Sequence, residues 1–109
     1  MAPIHTDVCA IKDIDDLNDI VSKNKSTAFI VELYTPWCSK CKRLEENIKT
    51  AKLNYKVYKI NIDAGPFIDD AQFEKIKSLP CIWIYKNGNR TEINTDNISK
   101  INEQVAKVE

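Results

Sequence analysis

Glycine is scarce in this chain, with only Gly65 and Gly88 among 109 residues, and histidine is scarcer, with His5 alone. One histidine near the N-terminus argues against any mechanism built on a histidine base. Net charge is missing too: 16 basic and 16 acidic residues are interspersed and sum to zero. That balance removes the electrostatic footprint expected for nucleic acid or an anionic membrane. No apolar run approaches the roughly 20 residues that cross a bilayer. The start, Met1-Ala2-Pro3-Ile4-His5-Thr6-Asp7, lacks the charged and then apolar stretch of an export signal. Val105 to Glu109 do not form an endoplasmic-reticulum retention tetrapeptide. The expectation is a soluble, cytoplasmic protein that binds neither nucleic acid nor membrane.

With few chain breakers and 43% hydrophobic residues, the chain fits one compact domain over 1–109 whose core forms without disulfide staples. Its cysteines, Cys9, Cys38, Cys41 and Cys81, therefore read as catalysis or metal binding before structural bridging. The segment Trp37-Cys38-Ser39-Lys40-Cys41 lies one proline after an apolar run and heads a helical pattern. Thiols three residues apart on a helix share a face, so one sulfur can attack a mixed disulfide formed by the other.

The elements follow in order. Val8 to Ile11 fits a short strand. Asp13 offers a cap, with Asp16 three residues on, for a helix whose face is Ile14, Leu17, Ile20 and Val21 and which ends near Asn24. Ala28 to Tyr34 is β-branched and aromatic with a single charge, as in a strand covered on both faces. From Cys38, the residues Cys41, Leu44, Ile48 and Ala51 keep the period of a helix with one buried stripe. Tyr55 to Ile62 alternates as a strand, and Gly65-Pro66 leads to a short helix with Phe73 and Ile76 inward. Cys81 to Tyr85 reads as a central strand, Asn87-Gly88 as a hairpin turn, and Arg90 to Ile93 as the returning edge strand. Asp96 can cap a last helix with Ile98, Ile101, Val105 and Val108 on its apolar face. The order βαβαβ, α, ββα implies an α/β domain with a mixed five-stranded sheet and helices on both faces.

With these residues in place, the chain resembles the thioredoxin superfamily over nearly its whole length. Val31 to Lys42 looks like the active-site segment of the thioredoxin domains in protein disulfide isomerases. Lys59-Ile60-Asn61-Ile62-Asp63, and Leu79-Pro80 followed by Tyr85-Lys86-Asn87-Gly88, resemble later landmarks of the family. Two features depart from it. Ser39-Lys40 replaces the Gly-Pro of thioredoxins or the Gly-His of disulfide isomerases, and no glycine separates the last strand from the last helix.

The resemblance implies the thioredoxin fold and a protein-disulfide oxidoreductase whose only redox group is the Cys38–Cys41 pair, without cofactor or metal. Cys38, where free N–H groups and the helix dipole favour a thiolate, is the expected nucleophile. Cys41, one turn in, is the expected resolving thiol. Lys40, Lys42 and Arg43 form a positive cluster that stabilises the thiolate and attracts acidic partners, or else are simply solvated charges. Glu32 is anomalous in an apolar strand, because burying a lone carboxylate costs several kcal/mol or raises its pKa. By resemblance it is the buried acid that accepts the Cys41 proton, and Lys59 is the lysine beside it. The plainer alternative is a Glu32–Lys59 ion pair without a kinetic role.

Pro80 should be cis by resemblance, placing the Leu79 backbone where an extended substrate adds as a short strand. Trp37 should supply an apolar platform beside Cys38, whereas Trp83, Cys81 and Cys9 are expected to be core packing. The expected partners are protein disulfides and a separate flavin-dependent reductase or thiol pool, and the expected state is a monomer. The rival readings are a four-cysteine metal site and a thioredoxin-fold scaffold that docks partners without turnover.

Overall fold

The computed structural model describes residues 7–109, so His5 and most of the N-terminal segment read above lie outside it. Five strands form one sheet: β1 (Val8–Ala10), β2 (Phe29–Tyr34), β3 (Lys56–Asn61), β4 (Cys81–Lys86) and β5 (Asn89–Asn94), in the spatial order β1-β3-β2-β4-β5. β1 and β2 run parallel to β3, while β4 is antiparallel to both β2 and β5. The helices are α1 (Ile14–Lys23), α2 (Ser39–Thr50) and α3 (Ile98–Val108). This is the mixed five-stranded α/β arrangement expected from the element order.

β2 lies at the centre because it can be covered on both faces, and its first five residues are all buried. Alternate residues feed two cores. Phe29, Val31 and Leu33 join Leu17 of α1, Tyr58, Ile60 and Trp83 on one face. Ile30 joins Leu44 and Ile48 of α2, Val57, Ile82, Ile84 and Ile101 of α3 on the other. Glu32, in step with Ile30, therefore faces the side covered by α2 and α3. Trp83 is core as expected: it is stacked on Phe73, and its Nε1 donates to Glu92 Oε1 at 2.9 Å.

Several elements differ in detail from the sequence reading. Between β3 and β4 the chain makes only a 3₁₀ turn at Ala71–Phe73, although Phe73 is buried and Ile76 packs on the core as expected. The five residues between Asp70 and Ile76 are too few to propagate a helix beyond its nucleus. Ala51 is the exposed C-cap of α2 rather than part of its stripe. Asn97, not Asp96, caps α3: its side chain accepts from the N–H groups of Ser99 and Lys100. The hairpin is as read, with Asn87 and Gly88 at φ 56° and 80°.

Candidate active site

α2 begins at the end of the central strand, where Thr35 and Pro36 stop β2 and Cys38 takes an extended conformation as N-cap. The Thr35 carbonyl accepts from the Cys38 N–H at 3.2 Å, and Cys38 Sγ accepts from the Cys41 N–H at 3.2 Å. Cys38 and Cys41 are joined in a disulfide, with their Cα atoms 5.3 Å apart. The two sulfurs differ in access. Cys38 is half-buried, whereas Cys41 is buried in line with Leu44 and Ile48. The outer sulfur belongs to the N-cap residue, at the unpaired N–H groups and positive dipole end of α2. The first turn carries no acid, and Lys40, Lys42 and Arg43 are exposed cations.

An open groove of about 510 Å³ runs past Cys38, lined by Trp37, Lys40, Lys77, Ser78 and Leu79 among others. Trp37 is 69% exposed, an unusual state for the largest apolar side chain and one suited to an apolar contact with a partner. The Leu79–Pro80 peptide bond is cis. On the far side of that bond a second hollow of about 200 Å³ lies between Lys40, Pro80, Thr95 and Asp96. Thr95 and Asp96 thus form the wall at which the sequence lacks a glycine.

Glu32 has no exposed surface, and neither carboxyl oxygen has a hydrogen-bond partner among the described residues. Burial, reinforced by the nearby Glu45 charge and only partly opposed by Lys59, raises its pKa to about 8. The acid lies one step along β2 from Ile30, and Cys41 lies one turn along α2 from Leu44, so both occupy the same end of one interface.

Lys59 is opposite Glu32 in the sheet register, but its ammonium goes elsewhere: Nζ donates to Glu45 Oε1 of α2 at 2.9 Å. The alternative of a Glu32–Lys59 ion pair is thereby corrected. Glu45 itself escaped the sequence reading. The available signal was its position four residues after Cys41, on the flank of the buried stripe.

The remaining cysteines separate. Cys81 is buried core in β4, and burial together with Glu92 pushes its thiol up to about 12. Cys9 is exposed on the edge strand β1, contrary to the expectation of core packing, because a three-residue edge strand has little to cover it. Four thiolates are therefore not gathered around one point, as the metal-site reading requires.

Comparison with known proteins adds a family. The model of the Thioredoxin family matches residues 8–107. The chain is 33% identical over 91 residues to "Thioredoxin M-type, chloroplastic" of Spinacia oleracea, a match covering 76% of this chain and 49% of that protein. It is 32% identical over 82 residues to "Thioredoxin-2, mitochondrial" of Schizosaccharomyces pombe, covering 74% and 60% respectively. The chain thus spans about half to three-fifths of the length of these curated relatives. Among solved structures, reduced Schistosoma mansoni thioredoxin pre-protein superposes with a TM-score of 0.79 at 21% identity, covering 94% of this chain and 99% of that one. Fasciola hepatica thioredoxin gives 0.78 at 16% identity, with 93% and 99% covered.

Proposed function

Because the chain belongs to the thioredoxin family, we propose that it is a small thiol–disulfide oxidoreductase acting on protein disulfides. The observation that carries this is the Cys38–Cys41 disulfide at the head of α2, with its outer sulfur bordering a groove shared with Trp37 and Leu79. In the reducing direction the Cys38 thiolate attacks a substrate disulfide, a mixed disulfide forms, and one substrate sulfur leaves as a thiolate. Cys41 then attacks Cys38 Sγ, releasing the second substrate sulfur and closing Cys38–Cys41. Glu32 accepts the proton that Cys41 sheds, and the departing thiolates are protonated from solvent. Lys59 neighbours that acid. Trp37 and the backbone of Leu79, held by Pro80, receive the polypeptide around the substrate cysteine.

The test is the dithiothreitol-driven reduction of insulin disulfides. Wild type should accelerate it and Cys38→Ser should not, while Cys41→Ser should accumulate a covalent mixed disulfide. A Cys41→Ser protein that traps no partner, with a wild type that reduces nothing, favours the non-catalytic scaffold instead.

Lys40 bears on the redox direction: it replaces proline between the thiols and favours the thiolate-bearing reduced form. The potential should lie between that of thioredoxin, about −270 mV, and that of protein disulfide isomerase, about −180 mV. Titration against a glutathione couple measures it, and a value at or below thioredoxin's overturns the assignment. A monomer in a reducing, cytoplasm-like compartment is part of the same proposal. The exposed free thiol of Cys9 supports that setting. Recycling is assigned to a separate flavin-dependent reductase or a thiol pool.

A further inference from the structure

Glu32 and Lys59 sit opposite each other in register, yet the lysine is engaged by a residue from another element. Lys59 Nζ donates to Glu45 Oε1 at 2.9 Å, with the two side chains only 23% and 25% exposed. The ammonium also lies 5.3 Å from the centroid of the Tyr34 ring. Glu32, fully buried, is left without a hydrogen-bond donor among the described residues. We infer that Glu45 is a positioning residue of the redox site: by holding the Lys59 ammonium it denies Glu32 a direct cation and so sets the pH at which that acid can take the Cys41 proton. The inference rests on the dithiol reading for its kinetic consequence, but its electrostatic part can be measured without turnover.

The groups around Glu32 act together. α2 contributes Glu45, β3 contributes Lys59 and β4 contributes Ile82, the last two opposite Glu32 in register, while Tyr34 follows Glu32 on the same face of β2. Glu45 opposes ionisation of Glu32 twice, through its own charge and by engaging the lysine. It also borders an open cavity of about 590 Å³ with Val8 and Lys49, which gives water access to the pair while Glu32 has none. In the step concerned, Cys41 S–H loses its proton to the Glu32 carboxylate as its sulfur bonds to Cys38 Sγ and the substrate sulfur departs with the electrons of the broken S–S bond.

The experiment is a carbon-13 NMR titration of the Glu32 side-chain carboxyl in oxidised wild type, Glu45→Gln and Lys59→Gln, paired with stopped-flow measurement of mixed-disulfide resolution against pH. Glu45→Gln should lower the Glu32 midpoint by about one pH unit, and Lys59→Gln should raise it. Resolution by Glu45→Gln near pH 7 should be roughly fivefold faster, because more Glu32 is ionised. A Glu45→Gln midpoint that equals or exceeds the wild-type value overturns the inference. If that variant does not fold, the absence of an upward shift in Lys59→Gln overturns it equally. NMR midpoints that move as stated in a protein that reduces no disulfide would support the hold of Glu45 on Glu32 and overturn the dithiol reading instead.

Discussion

A carboxyl buried without a donor is tolerated mainly as the neutral acid, and Glu32 carries that condition into the stability of the fold. Its folded pKa, about 8, lies above the ordinary 4.5, so between these values the native state keeps a proton that the unfolded chain releases. Stability is therefore fully present below about pH 4.5 and is lost as pH rises toward 8. Glu32→Gln should abolish this slope, matching wild type near pH 4 and exceeding it at pH 8 by on the order of 2 to 4 kcal/mol in urea unfolding. Activity should fall in the same variant, since the amide accepts no proton from Cys41. The thiols separate at the same scale. In the reduced protein at pH 7, iodoacetamide should modify Cys38 about tenfold faster than exposed Cys9, while Cys81, buried and with its thiol pushed up to about 12, should stay unmodified until unfolding.

Elements are fixed by their ends. Asp96 and Asn97 are both capable caps, and spacing to the apolar face of α3 does not choose between them. The structure chooses Asn97, whose Oδ1 accepts from Ser99 N at 2.8 Å and Lys100 N at 3.3 Å, while Thr95 Oγ1 accepts from its own N–H at 3.0 Å. Asn97→Ala should lower stability by about 1 kcal/mol and Asp96→Ala by less than about 0.5 kcal/mol, as read from thermal unfolding. Asp13, by contrast, was legible as a cap because no second candidate follows it directly and Asp16 stands three residues on, and in the structure its Oδ1 accepts from the Asp16 N–H at 2.7 Å. The same reasoning covers α2, where Cys38 occupies a position that a serine or aspartate usually takes. There the sequence places a thiol at the dipole end and surrounds it with cations that the helix alone would disfavour.

Across the whole molecule, the groove brings Lys40 of α2 and Lys77 of the loop before Pro80 to one opening beside Cys38. A substrate with acidic residues next to its disulfide should therefore be reduced faster than one with basic residues, and kcat/KM for the acidic substrate should fall as salt is raised from about 0.05 to 0.5 M. Lys40→Glu combined with Lys77→Glu should invert the preference. Equal rates for both substrates in wild type would remove charge from the account of specificity.

The sequence by itself determined what depends on neighbours along the chain: the helical period that puts Cys38 and Cys41 on one face, the Asn87-Gly88 turn, the covered central strand and the anomaly of one acid within it. These follow from backbone geometry and side-chain spacing, which act over a few residues. Tertiary structure alone decided which groups meet across the sheet. Lys59 could reach Glu32 in register or Glu45 fourteen positions away along the chain, and only the seating of α2 over β3 gave its ammonium to Glu45. The exposure of Cys9 was decided in the same way, because burial depends on what packs against an edge and not on the residues adjacent in sequence.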